Sequence, residues 1–405
     1  MRIELSYSEP HNGGKWFFLA AFAFACTLFW WLPSIIYRLL NIDDPVNNGP
    51  ILISVLALGC FVFGYLLPRN NRRLSFMSDT LMDECAQVAW KLTVLLAIPA
   101  ILLALQFSLY RASVDYGSGE GVPAIDQAVF YMHLFFGFMF LGGARQGKDK
   151  RRIFISIILL ALPRLVVSLH WGRFFLAQGV LPIVIIAIAR GWVKLSAKRV
   201  LQLAVLAIAI VFVPSFTRGD NLVGGSEVVQ FFAAGSTLKL FQDNSDLDLS
   251  GRCPPLMVSM TAKVVPYHVM GVCVIDIWGM KDLPATLDRI LTYNEPSSVD
   301  SLTGTGSNYL LELNLSGGFV SVLFGSAIFG LTCRKFLVWA GRRSLFAGIW
   351  AECLTRALLA PRSNLGYVYE RIPTLVLATA LVIIVSRIVV LRSPESDRSP
   401  VGLPA

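Results

Sequence analysis

The chain has 405 residues, 55% of them hydrophobic and only 15% charged, with a formal net charge of +9. Soluble domains carry about a quarter charged residues. A mean hydropathy of +0.63 and apolar runs along most of the length exclude a soluble globular enzyme and place the chain in a membrane. The basic excess then marks topology and not nucleic-acid binding, because Lys and Arg collect on the cytoplasmic loops of membrane proteins.

In chain order, a short polar start (Met1 to Gly14) precedes Lys15 and a first apolar span, Trp16 to Leu40, which has no cleavage site and is read as an anchor. The second span is Ile51 to Leu67 and the third Val88 to Tyr110, separated by a polar stretch with Arg69, Arg72 and Arg73. The fourth ends near Gly143, at a basic knot of Arg145, Lys148, Lys150, Arg151 and Arg152. The fifth runs from Ile153 to Leu169, and the turn His170-Trp171-Gly172-Arg173 leads into the sixth, which ends before Arg190. The seventh covers Val200 to Phe216.

A long polar segment, Thr217 to Ser307, follows, with a semi-apolar patch from Val264 to Trp278 that is too short to span and is read as interfacial or re-entrant. The eighth span covers Asn308 to Leu331, the ninth Leu345 to Ala360, and the tenth Thr374 to Val390. Basic clusters fall on alternate loops, so the positive-inside rule puts both ends and the basic loops in the cytoplasm and the long loop outside. The expected fold is an all-α polytopic integral membrane protein of about ten transmembrane helices with one long periplasmic loop. Its parts are residues 1–216 (spans one to seven), 217–307 (the loop), 308–391 (spans eight to ten) and 392–405 (a cytoplasmic tail).

Cys26, Cys60, Cys333 and Cys353 lie in or beside apolar segments and read as packing residues. Cys253 and Cys273 share the long loop and are a candidate disulfide, which spacing alone does not establish. No Walker loop, dinucleotide fingerprint, HExxH or CxxC is present. A nucleotide-driven reaction is therefore not expected, and neither a cofactor nor a metal is called for.

Charged residues within a membrane are functional candidates by default. Several arginines sit on the outer side of the expected topology, against the charge rule: Arg164, Arg173, Arg218, Arg356, Arg362 and Arg371. Singly, each has a structural explanation. Arg164 and Arg371 can snorkel to lipid phosphates. Glu352 and Arg356, four apart on a helix, can neutralise each other. As a group, guanidiniums at the outer interface suit a lipid-linked pyrophosphate, whose oxygens they bind bidentately. A donor activated by such a leaving group needs only a grip on the pyrophosphate and a base for the acceptor hydroxyl. Candidate bases are His268, His170, Asp220, Glu227 and Glu312, with His268 favoured because histidine titrates near neutral pH. His133, in the fourth span, reads as a satisfied intramembrane histidine.

Three patches resemble the Wzy-type O-antigen and oligosaccharide repeat-unit polymerases, and more distantly the O-antigen ligases. They are Trp171-Gly172-Arg173-Phe174-Phe175 leading to Val184-Ile185, Thr217-Arg218-Gly219-Asp220 opening the long loop, and Gly306-Ser307-Asn308-Tyr309-Leu310-Leu311-Glu312-Leu313 followed by Ser316-Gly317-Gly318-Phe319. The resemblance implies a bacterial inner-membrane, metal-independent glycosyltransferase. It implies transfer of a growing glycan from undecaprenyl pyrophosphate to an incoming lipid-linked repeat unit, with a chain-length regulator as a further partner. It implies periplasmic arginines on the pyrophosphate, matched by Arg173 and Arg218 and more weakly by Arg289, with Arg356 added from its place in the ninth span. Gly304, Gly306, Gly317 and Gly318 bracket the re-entry of the chain into the membrane, where glycine permits close approach of a ligand or a helix.

Two other readings stay open. A ligase moving glycan to lipid A, or a lipid-phosphate-sugar glycosyltransferase, has a similar build; Asp43-Asp44 fits the latter weakly and reads first as an ordinary solvated turn before Pro45. A lipid flippase or transporter belongs to another class. It is expected to show repeats and broken spans at the bilayer midplane, and the sequence displays neither.

Overall fold

The computed structural model describes residues 12–39, 46–67, 78–113, 124–168, 173–193, 237–246, 256, 308–363, 365–369 and 372–392, and these are helical with short turns. The elements are α1 (Asn12–Cys26), a π turn (Thr27–Trp31), α2 (Leu32–Leu39), α3 (Asn48–Leu66), α4 (Asp79–Ser113), α5 (Ala124–Gly143), α6 (Gln146–Ser168), α7 (Arg173–Ala189), α8 (Thr237–Asn244), α9 (Tyr309–Ala340), α10 (Ala347–Ala357), a 3-10 turn (Ala360–Arg362), α11 (Leu365–Tyr369) and α12 (Ile372–Arg392). Among the described residues, five stretches are long and apolar enough to cross a membrane: Gly14–Ile36, Asn48–Leu66, Asp79–Tyr110, Tyr309–Ala340 and Tyr367–Ile388. Val129–Gly143 and Gly179–Ala189 are shorter apolar helices. The seventh expected span and the Val264 to Trp278 patch lie outside the described residues, as do the two loop cysteines.

Helix is the form that satisfies every backbone N–H and C=O within its own segment, which a lipid environment demands. The apolar side chains that face outward fit that setting. On α4, Leu95, Ile98, Leu102, Leu105 and Leu109 recur at spacings of three and four and are all exposed, Ile98 by 69%. A water-soluble bundle turns such a stripe inward.

The bundle has two distinct ends. At one, the Tyr65 hydroxyl donates to the Lys15 carbonyl, Ser344 N donates to the Gly142 carbonyl, and Arg343 reaches Asp79 and Asp83. We call this the basic end. At the other, Arg38 donates to the Val46 carbonyl and to Asn48 Oδ1, and Asn47 N donates to Gln242 Oε1. This is the loop end. With α1, the π turn and α2 taken as one span, consecutive spans up to α7 alternate in direction between the two ends.

Four boundaries differ from the sequence expectation. The helix of the third span starts at Asp79, not Val88, because its polar first turns are held by arginines of other segments: Asp83 by Arg145 and Arg343, and Asp79 by Arg343. The basic knot after Gly143 is the start of α6, and Arg334 and Lys335 lie inside α9, so both helices extend past their apolar stretch. The ninth span is helical over only 11 residues, about 16 Å, roughly half a hydrocarbon core. Every residue of α10 but Trp350 is buried.

The eighth span is the largest departure. Gly317 (φ 179°, ψ 30°) and Gly318 (φ 63°, ψ −162°) break α9, and Gly318 takes the left-handed side of the map that glycine tolerates best. Along a straight helix Tyr309 and Phe329 would be about 30 Å apart. Their ring centroids are instead 5.5 Å apart, and a Cβ on Gly325 would meet the Leu313 side chain at 2.6 Å. Thus α9 is a helical hairpin: a short arm, 309–316, folds back on a long arm, 319–340. The long arm alone is long enough to cross a bilayer. The short arm begins deep in the bundle and climbs to a tip at the loop end.

The long arm packs closely on α3. A Cβ on Gly64 would fall 1.9 Å from the Ala327 carbonyl oxygen, and one on Gly330 would fall 2.0 Å from that of Phe61. Small residues at such crossings let backbones touch, which gives helices in lipid their dispersion contact. Around this crossing an aromatic column ties α1, α3 and both arms together. Phe22 stacks on Phe61 at 3.9 Å, Phe61 meets Phe329 at 5.6 Å, and Trp30 meets Tyr309 at 5.7 Å.

Candidate functional site

The deep start of the short arm is a polar junction. Asn308 caps the arm by accepting from Leu311 N at 2.7 Å, and its amide donates to the Thr237 carbonyl. Ncap asparagine satisfies one of the orphan N–H groups that a buried helix start leaves behind. The Thr237 hydroxyl, opening α8, lies 2.9 Å from the Pro361 carbonyl and 3.2 Å from that of Phe29. Trp30 Nε1 also donates to the Pro361 carbonyl, at 3.0 Å. Phe29 and Trp30 belong to the π turn of the first span, and such turns mark functional positions in helices. Two short helices, α8 and the arm, therefore start side by side inside the bundle and run outward. At their outer ends Asn314 donates to the Ser245 carbonyl, and Leu256 N donates to the Ser316 hydroxyl. Ser245 and Leu256 of the long polar segment are thereby pinned along the hairpin.

One turn above Asn308, Glu312 is fully buried and accepts from Leu365 N at 2.7 Å. Across the same 360–369 segment, Arg356 Nη1 donates to the Tyr367 carbonyl at 3.2 Å, its guanidinium lies 4.3 Å from the Tyr367 ring, and its Nε donates to Glu352 Oε1 at 2.9 Å. Both partners of the Glu352–Arg356 pair are buried. Charges so far from water persist only with close partners, and removing one leaves the other stranded. The chain after α10 is thus clamped from two sides by buried charge.

A second buried cation lies at the α5–α6 contact. The Arg164 guanidinium sits 3.4 Å from the Phe130 ring centroid and donates to the Phe130 carbonyl at 2.9 Å. Gly179 of α7 leaves room for its stem, since a Cβ there would meet Arg164 Cγ at 2.6 Å. Arg164 is 1% exposed, so it does not snorkel to lipid phosphates. His133, also buried, has an Nε2 atom with no hydrogen-bond partner among the described residues, in place of the satisfied histidine expected.

Of the residues inferred from sequence, Arg356, the candidate base Glu312 and the outer-side arginines Arg164 and Arg362 have described side chains, and Arg356, Glu312 and Arg164 make the contacts above. Arg173 opens α7, and its side chain lies outside the described residues. His268, Asp220, Arg218 and Arg289 lie outside them altogether, as do His170, Glu227 and Arg371. Sequence reasoning singled out Glu312 and the glycine pair, but not Asn308, Thr237 or Trp30 as a joined set. A Ser-Asn start to an apolar run is a visible cap signal; its partner, 71 residues earlier in the chain, is not visible.

Comparison with family models, with curated proteins and with solved structures returns no match.

Proposed function

We propose that this chain is a bacterial inner-membrane polysaccharide polymerase. It moves a growing glycan from undecaprenyl pyrophosphate to an incoming lipid-linked repeat unit on the periplasmic face. The observation that carries the reading is the buried junction at the loop end. The motif from Asn308 to Glu312, followed by Gly317-Gly318, is the patch that resembles the Wzy-type polymerases. In this fold it forms a re-entrant arm whose first residue, Asn308, is buried among the helices one turn from the buried Glu312.

In this reading the basic end is cytoplasmic and the loop end periplasmic. Arg173, Arg218 and Arg289 grip the pyrophosphate, and His268 or Asp220 takes the acceptor proton. Arg356, assigned to the headgroup from sequence, enters through its hold on the Tyr367 carbonyl, which fixes the segment lining the junction. Glu312 does the same through Leu365 N. The arm and α8 start side by side, which brings the positive ends of two helix dipoles together and suits a site that handles anionic groups.

The glycan ladder of a deletion strain tests this reading. A polymerase loss leaves a single repeat unit capped on the surface lipid, whereas a ligase loss accumulates long lipid-linked polymer. Arg173→Ala or Arg218→Ala is expected to abolish long glycan with normal insertion, and Lys to rescue poorly because it lacks the planar fork. Full rescue by Lys at both positions would overturn bidentate holding.

A flippase or transporter is the second reading. One observation favours it: α9 is broken and α10 is a half-length helix, the discontinuous build on which transporters form their midplane sites. Loss of a flippase traps single lipid-linked units on the inner face, which the same strain reveals.

A further inference from the structure

The cations of the basic end divide into two groups. Arg190, Arg343 and Arg145 are engaged with protein. Arg190 donates to the carbonyls of Leu141, Gly142 and Ala144 and so caps α5, while Arg343 and Arg145 hold the acids of α4. The first turns of α6 are different. Lys148, Lys150 and Arg151 are exposed, and none has an ion-pair or hydrogen-bond partner among the described residues; the local acid, Asp149, faces Arg152 at 3.8 Å and accepts from Arg145 N.

Directly beyond them on α6 runs an outward apolar ladder: Phe154, Ile158, Leu162 and Leu165, exposed by 64%, 47%, 41% and 46%. At 100° per residue Arg151 falls on the axis of this ladder, with Lys148 and Lys150 on either side. Three uncommitted cations at the mouth of an acyl-length apolar track form the complement of one molecule, a phosphate headgroup with its hydrocarbon chain. We propose that the start of α6 is a binding site for an anionic phospholipid, with the headgroup on Lys148, Lys150 and Arg151 and an acyl chain along Phe154 to Leu165. The site does not depend on the catalytic reading, and it serves to hold the α5–α6 turn at the membrane surface.

The test uses the full chain reconstituted in phosphatidylcholine vesicles that contain a small fraction of spin-labelled phosphatidylglycerol or, in parallel, spin-labelled phosphatidylcholine. The motionally restricted spectral component reports lipid held by the protein. The wild-type chain is expected to retain phosphatidylglycerol over phosphatidylcholine by about fivefold or more, since each basic residue at such a surface contributes about that factor. The triple variant K148Q/K150Q/R151Q is expected to lose most of this preference with unchanged elution on gel filtration, and K335Q, elsewhere on the basic end, to keep it. Equal retention of both lipids by the wild type overturns the proposal, as does a triple variant that keeps the preference. An equal loss in K335Q also overturns it, because it would show diffuse charge and no site.

Discussion

At the basic end, Arg343 bridges Asp79 and Asp83 while those acids stay partly or largely in solvent, with Asp79 87% exposed. At the loop end, Arg356 and Glu352 are 1% and 2% exposed and Glu312 is fully buried. Both ends join distant segments through charge, but the surroundings differ. Exposed pairs are screened and marginal in free energy. Buried pairs hold their geometry firmly, and breaking one is destabilising far beyond its net contribution. The basic end is therefore a fastening that tolerates change, and the loop end a junction that does not.

The sharpest test of this contrast is Arg356→Met, which leaves Glu352 buried beside an apolar side chain. It is expected to lower stability by about 3–5 kcal/mol, read as a fall in thermal midpoint in mild detergent, with much of the loss restored in E352L/R356M. If the double variant is as unstable as the single one, the pair is not the unit that matters. Next in size is the crossing of α3 with the long arm. Gly330→Leu forces a side chain into the Phe61 carbonyl and is expected to destabilise by about 3 kcal/mol. Asn308→Ala removes a cap and the tie to Thr237, for about 1–2 kcal/mol, and is expected to expose 237–256 to proteolysis before the rest of the chain. The smallest effect is expected at the basic end. Arg343→Gln should cost about 1 kcal/mol or less, and the difference should shrink further in high salt. An Arg343→Gln loss equal to that of Arg356→Met would erase the distinction between the ends.

Much of the described architecture follows from local composition. Apolar runs mark the stretches long enough to cross a membrane, and the spans from α1–α2 to α7 alternate in direction as the Arg and Lys clusters alternate along the chain. The hairpin was harder to see. Tyr309 to Leu313 and Phe319 onward form one apolar run, and hydropathy registers composition without direction. Gly317-Gly318 is the available sign, and in sequence a glycine pair marks close approach within a continuous span as readily as a reversal. The helix start at Asp79 was hidden for the opposite reason. Its polar first turns look like loop until Arg343 and Arg145, distant in sequence, supply their partners. Arg356 shows the same limit: the i,i+4 acid was legible, but the Tyr367 carbonyl and the burial were set by tertiary packing.

The re-entrant arm also dictates an order of assembly. Its eight residues are too few to be recognised and released sideways as a spanning unit during synthesis. Its walls include Pro361 and Leu365, which the ribosome makes some fifty residues after it. The arm must therefore wait, parked at the surface with Glu312 unmet, until the segments after α9 have been threaded and can close around it. A truncation behind Gly341 would leave this piece stranded at the water boundary, however well the earlier helices had inserted.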